Sequence, residues 1–167
     1  INECRRNWRD GGTSLSYAEI MELARKEEKN RFLIDVDDEL FLKPERMPEK
    51  IAEYLAAHNQ GKPETIAQTA RCVYDSLAKK YSEEIAKLEI LTGKKFDCLH
   101  IIGGGCNADL LCSMAATACG IPVYAGPSEA TVLGNAAVQF IAGGYLKNIA
   151  EARQAISISY DIKVYNP

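Results

Sequence analysis

Three consecutive glycines, Gly103, Gly104 and Gly105, followed by Cys106 and Asn107, are the residues whose type and spacing could do chemistry. An apolar run, Leu99 to Ile102, stops at them, and a helix-like stretch from Asn107 to Cys119 follows. A short buried strand ending in glycines leaves backbone that no Cβ shields, so another molecule can approach it closely. The next helix begins just beyond. Its free N–H groups and the positive end of its dipole suit an anionic or flat ligand. The same residues could instead make a tight strand-to-helix turn packed against a neighbouring element. Both readings stand until the surrounding elements are considered.

Gly103-x-Gly105-x-x-Ala108 formally matches the dinucleotide fingerprint, since it follows a strand and opens a helix. The rest of that motif is missing. The next strand, Ile121 to Tyr124, ends in no acidic residue placed to grip a ribose, and one strand–helix–strand unit stands where a dinucleotide fold needs two halves. No Lys-Ser or Lys-Thr follows the glycines, which excludes a Walker-type loop.

The elements that position the glycines belong to an α/β half of the chain that begins after Gly93. A strand over 98–102 leads into the glycines, and a helix over 107–119 closes on Gly120 as its C-cap. The second strand, Ile121 to Tyr124, reaches a Gly126-Pro127 turn. Glu129 then opens a helix over Ala130 to Ala142, where a carboxylate complements the helix dipole, and Gly143-Gly144 ends it. Gly134, Ala136 and Ala137 would let another backbone come close to that helix. A short helix near Ile149 to Ala155 precedes a polar tail, read as irregular, up to Pro167.

The first half reads as helical. Ile1 to Trp8 looks like the last turns of a helix without its beginning, so the chain is expected to be an excised piece of something longer. Ser16-Tyr17-Ala18-Glu19 is a capping-box pattern, followed by Ile20, Leu23 and Ala24 as a narrow apolar stripe. Phe32-Leu33-Ile34 suggests a short strand. Asp35, Asp37 and Asp38 follow, but they lack the glycine and closing glutamate of a calcium loop and read as a polar turn. Lys43-Pro44 leads to Met47-Pro48, which starts a helix with Ile51, Tyr54 and Leu55 inward and Gly61 at its end. From Ile66 to Leu91, apolar residues recur every three or four positions, predicting a helix of about seven turns that ends at Gly93 and lies along a sheet or helix partner. Arg71 within it is expected to form a surface or cap ion pair.

At 167 residues the chain has the length of about one domain, with 47% hydrophobic and 26% charged residues. A formal charge of -3 offers no electrostatic footprint for nucleic acid or an anionic membrane. No apolar run is long enough to span a membrane, and no signal-peptide pattern is seen. The six cysteines contain no C-x-x-C pair and, with two lone histidines, read as buried thiols rather than a zinc site. Reduced thiols favour the cytoplasm.

Several of these segments resemble one family. Ile101-Ile102-Gly103-Gly104-Gly105, Gly120-Ile121-Pro122-Val123, and Gly126-Pro127-Ser128-Glu129-Ala130-Thr131-Val132-Leu133-Gly134-Asn135 with Gln139 resemble the C-terminal domain of FGGY carbohydrate kinases. Asn135 after Gly134, together with Glu3-Cys4-Arg5-Arg6-x-Trp8, Met47-Pro48, Arg71-Cys72-x-x-x-Ser76-Leu77-Ala78 and Leu91-Thr92-Gly93, looks like the rhamnulokinase branch. The likeness covers nearly the whole chain in order.

The resemblance implies two actin-like (ribonuclease H-like) domains around a cleft. The N-terminal one binds the sugar and carries an aspartate base; the C-terminal one holds most of the ATP, with Mg²⁺ offsetting charge. Residues 1–167 would then be a partial C-terminal, nucleotide-side domain, truncated at its N-terminal strands and lacking the sugar-binding domain. The implied reaction is ATP-dependent phosphorylation of a ketose, L-rhamnulose first, with L-fuculose or L-xylulose as competitors. A non-catalytic nucleotide-binding module is the alternative from another class. Gly103, Gly104 and Gly105 would abut the adenine–ribose part of the nucleotide. Asn107 sits one place earlier than the branch's asparagine, with Ala108 in the expected position, and Asn2 stands where the family has a nucleotide-binding glutamine. No residue here matches the catalytic base or a metal ligand, so the piece alone is expected to be inactive. Deprived of its first strands, it is also expected to self-associate.

Overall fold

A computed structural model describes residues 1–43 and 45–167. Pro44, within the expected Lys43-Pro44 link, lies outside the described residues. The chain divides into two compact units, Ile1–Thr92 and Gly93–Pro167, and the division falls where the sequence changes from helical to α/β texture.

Among the described residues the first unit contains four α-helices, α1 (Asn2–Asp10), α2 (Tyr17–Arg25), α3 (Met47–Ala57) and α4 (Ile66–Thr92), and a 3-10 turn at Glu39–Phe41. The capping box is present as predicted: the Ser16 hydroxyl accepts from the Glu19 N–H, and the Glu19 carboxylate accepts from the Ser16 N–H. Cys4, Phe32, Ile51, Leu55, Cys72 and Val73 form the core, with Trp8, Ile34, Phe41 and Leu77 packed around it. Helix α4 is 27 residues long, about 40 Å at 1.5 Å per residue. Its buried residues all lie between Thr69 and Ala78, whereas Ile90 and Leu91 are 85% and 82% exposed. The partner predicted for its whole stripe is the nine-residue α2, too short to cover a helix three times its length.

Three expectations for this unit are corrected. Phe32-Leu33-Ile34 is not a strand, because side chains take the hydrogen bonds that a neighbouring strand would supply. The Gln60 amide accepts from the Leu33 N–H at 2.8 Å and donates to the Leu33 carbonyl at 2.7 Å, and the Ser76 hydroxyl accepts from the Ile34 N–H at 3.0 Å. Helix α3 stops at Ala57, before Gly61, because Asn59 already turns left-handed at φ 57°. Arg71 is not a surface or cap residue. It is 5% exposed and paired with the equally buried Asp75, Nε to Oδ2 2.9 Å. The acidic stretch is the polar turn predicted: Asp35 Oδ1 accepts from the Asp37 N–H, and Asp38 Oδ1 from the Leu40 N–H.

In the second unit, β1 (Leu99–Ile101), α5 (Asp109–Cys119) and β2 (Val123–Ala125) form a strand–helix–strand unit, followed by α6 (Ala130–Ala142), α7 (Ile149–Ser159) and β3 (Lys163–Tyr165). The sheet order is β1-β2-β3. β1 runs parallel to β2 with Leu99 opposite Val123, and β3 runs antiparallel to β2 with Val123 opposite Tyr165. Helix α5 packs on the sheet and buries Leu110, Leu111, Cys112, Ala115 and Ala116, and Gly120 caps it at φ 68°. Helix α6 has the predicted limits and buries none of its residues. The C-terminal tail is not irregular: it supplies β3, and α7 extends to Ser159. Among the described residues no helix is long and apolar enough to cross a membrane.

Candidate functional site

The three glycines do three different things. Gly103 sits at φ 71°, a backbone conformation that only glycine adopts cheaply. Its N–H donates to the Pro127 carbonyl at 3.4 Å, while the Gly126 N–H donates to the Ile101 carbonyl at 2.9 Å, so the end of β1 is tied to the turn after β2. Gly104 is exposed, and a Cβ built on it would meet nothing within 4 Å. Gly105 faces inward, where a Cβ would lie 3.5 Å from the Ile101 side chain. The turn therefore has an open outer side at Gly104 and Asn107 and a packed inner side at Gly105 and Cys106.

The helix after the glycines starts later than predicted. Gly103–Asn107 is itself a 3-10 turn, closed as the Ala108 N–H donates to the Gly105 carbonyl at 3.1 Å. Ala108, at φ -92° and ψ 81°, breaks the geometry, and α5 begins at Asp109 with no side-chain N-cap. Asn107 thus ends the turn rather than opening the helix. It is exposed, and its Oδ1 lies 3.9 Å from the Cys106 Sγ.

Behind the turn, the Cys112 Sγ, 3.8 Å from both the Gly105 and Cys106 carbonyls, is placed to donate weakly to them. Burial first, then the neighbouring Cys106 and Asp109, push its pKa up to about 11, so it stays a protonated donor. Asp109 lies in the first turn of α5, where the helix dipole favours a carboxylate. Its Oδ1 accepts from the Tyr165 hydroxyl at 2.6 Å and from the Lys163 Nζ at 3.1 Å, both on β3. Burial, then this hydrogen bond, raise the Tyr165 pKa. Sequence reasoning missed Tyr165; the only signal was a Lys-Val-Tyr run with strand-forming residues inside a polar tail. It also missed the His100–Tyr124 ring stack, centroids 5.2 Å apart, across β1 and β2.

The structure brings Gly103, Gly104, Gly105 and Asn107 onto one turn. Asn2 is the first residue of α1, exposed, and belongs to the other compact unit. Glu129 is the N-cap of α6 and makes no side-chain cap bond. The first unit holds a groove of about 450 Å³ between residues 33–36 and α4, whose polar wall is engaged within the protein: Lys80 with Asp37 and Glu84, Lys79 with Glu83. Among the described residues no group of three or more His, Cys, Asp or Glu side chains could hold a metal ion.

An open glycine turn between a parallel strand pair and its crossover helix is the feature to which known sequences can be compared. Residues 1–143 match the FGGY family of carbohydrate kinases, C-terminal domain, and the chain belongs to that family. It is 41% identical over all of its 167 residues to a rhamnulokinase of Bacteroides thetaiotaomicron, and 43% identical over 152 residues to a rhamnulokinase of Enterococcus faecalis. The chain spans 34% and 31% of the lengths of these two relatives.

Proposed function

We propose that the chain is the nucleotide-side part of an ATP-dependent kinase that phosphorylates a ketose, L-rhamnulose in the first instance. The observation that carries this reading is the open backbone at Gly104, at the end of β1, in a chain of the FGGY family. The bare turn leaves room for the flat, uncharged adenine–ribose portion of ATP to lie against backbone, with Gly103 fixing the chain direction and Gly105 on the inner side facing Ile101. Asn107 offers an exposed amide beside that surface and is proposed as a nucleotide contact; Asn2 is proposed as one on the family resemblance alone. The fit is one of shape and polarity. A nucleotide bound here would supply the transferable phosphoryl group, and the residues of this chain would hold and orient its base end. Mg²⁺ would travel with the phosphates, since the proposal places no magnesium ligand on this chain. The sugar pocket and the aspartate base are assigned to a sugar-binding domain beyond these residues. Six free cysteines, four of them buried, accord with a cytoplasmic location.

Gly104→Val is the test. Gly104 is not in the left-handed region and its surroundings are empty, so valine is accommodated by the protein itself. In the full-length enzyme, calorimetric titration is expected to show ATP binding weakened by at least about tenfold with sugar binding retained, since a branched side chain would occupy the ligand's space. Unchanged ATP affinity would remove the glycine turn from the nucleotide site.

A further inference from the structure

We infer that Tyr165 and Asp109 are positioning residues for the glycine turn: β3, through one hydrogen bond to the first turn of α5, holds the turn's outward-facing backbone in place. This rests on the nucleotide reading for its functional consequence, but not for its geometry. Strand β3 lies beyond residues 1–143, the part of the chain matched to the family, so nothing in that match requires it.

The register supplies the first part of the argument. Lys163 and Tyr165 pair with Ala125 and Val123, the two buried residues of β2, and side chains alternate along a strand. Both therefore project toward the face covered by α5, and both reach Asp109. The two contacts differ in strength. Lys163 and Asp109 are about half exposed, with side-chain exposures of 56% and 48%, and such ion pairs are weak and screened. The Tyr165 hydroxyl donates over 2.6 Å to an ionised acceptor from a half-buried position, a short charge-assisted bond. Tyr165 is thus the main link and Lys163 the lesser one.

The second part runs from Asp109 to the glycines. Three residues further along α5, Cys112 is fully buried and placed to donate to the Gly105 and Cys106 carbonyls. The Cys112 N–H donates to the Ala108 carbonyl at 3.0 Å, and the Ala108 N–H to the Gly105 carbonyl at 3.1 Å. The start of α5 and the back of the turn are therefore one bonded piece. Since α5 begins without a side-chain N-cap, the tie from β3 helps to fix its first turn. Releasing it frees the turn whose glycines resist motion least.

The test uses the full-length enzyme that contains these residues and its variants Tyr165→Phe, Asp109→Ala and the two combined, with Lys163→Met as the weak-link control. Amide hydrogen exchange of Gly103 to Asn107 is followed by mass spectrometry against that of Ala115 and Ala116 in the body of α5, and MgATP is then titrated. Tyr165→Phe is expected to speed exchange in the turn by about tenfold while Ala115 and Ala116 hold, the scale of losing one hydrogen bond to a charged group. The double variant should exchange no faster than Asp109→Ala, as non-additivity marks residues acting through a single bond. Lys163→Met should change exchange less than threefold. Asp109→Asn, which keeps an acceptor oxygen for Tyr165, should restore part of the protection lost in Asp109→Ala, and it serves if Tyr165→Phe does not fold. Unchanged turn exchange in both single variants, or a uniform rise through α5 and β2, overturns the inference. If the turn responds but the wild-type enzyme shows no shift with MgATP, β3 still positions the turn and the nucleotide reading falls. If MgATP binds the wild-type enzyme, Tyr165→Phe should weaken it by about tenfold. Equal affinity with unchanged exchange refutes the role of Tyr165 and leaves the nucleotide reading intact.

Discussion

The buried pair Arg71–Asp75 is the most demanding test of the packing described for the first unit. Asp75 Oδ2 accepts two hydrogen bonds, from Arg71 Nε at 2.9 Å and from the Asn30 N–H at 2.8 Å. Arg71 also donates to the Ala24 carbonyl, at 3.4 Å, where α2 ends. The pair thus fastens the end of α2 and the segment after it to α4, with both side chains almost wholly out of water. Removing one partner leaves an uncompensated charge there, at a cost of about 3–5 kcal/mol, whereas removing both leaves chiefly an unmet Asn30 N–H, at about 1–3 kcal/mol. Asp75→Ala and Arg71→Met should therefore each destabilise more than Arg71→Met combined with Asp75→Leu. Trp8, the single tryptophan of the chain, packs against this unit's core, so its fluorescence in urea reads this unit alone. With a slope of about 2 kcal/mol per molar urea, each single variant should lower the midpoint by roughly 1.5–2.5 M and the double variant by clearly less. Single-variant shifts below about 0.5 M, or a double variant as damaged as the sum of the singles, would refute the view that a desolvated charge pair holds these segments together.

Burial pushes the Cys4, Cys72 and Cys112 thiols up to about 11, 12 and 11, and the Tyr74 phenol to about 12. These groups keep their protons longer when folded than when unfolded, so their contribution is complete below pH 9 and is lost as pH climbs from there through about 12; circular dichroism against pH should show that alkaline fall. Ser16→Ala removes the capping box of α2 and should cost about 1 kcal/mol by the same urea assay. The apolar residues left uncovered near the end of α4 and on α6, among them Leu91 at 82% and Val132 at 62% exposure, should make the chain self-associate. Light scattering at high concentration checks this, and a clean monomer would contradict it.

Several of the local sequence signals agree with the structure. The capping box, the limits of α6, the Gly120 cap and the helical run to Thr92 all follow from residue chemistry within one or two turns. Much of what went unread depends on partners distant in the chain. Phe32-Leu33-Ile34 has strand-forming residues, yet Gln60, 27 positions away from Leu33, takes the place of a neighbouring strand. Arg71 reads as a surface or cap ion pair until α2 and residue 30 close over it. At the candidate site, the glycines were legible as unshielded backbone, but a string of three cannot say which one bends, which lies open and which packs. That division depends on Ile101 and on the turn at residue 126–128. Tyr165 was illegible because its acceptor, Asp109, lies 56 residues earlier.

The third strand also bears on how this family's pieces are cut for study. A fragment ended at residue 143, the limit of the family match, would drop β3 and turn β2 from a central strand into a bare rim with unpaired N–H and C=O groups. Such a rim recruits strands from other molecules, so the shortened product would precipitate or form mixed assemblies. The cause would be the missing lateral pairing, even with the glycine turn intact in the sequence.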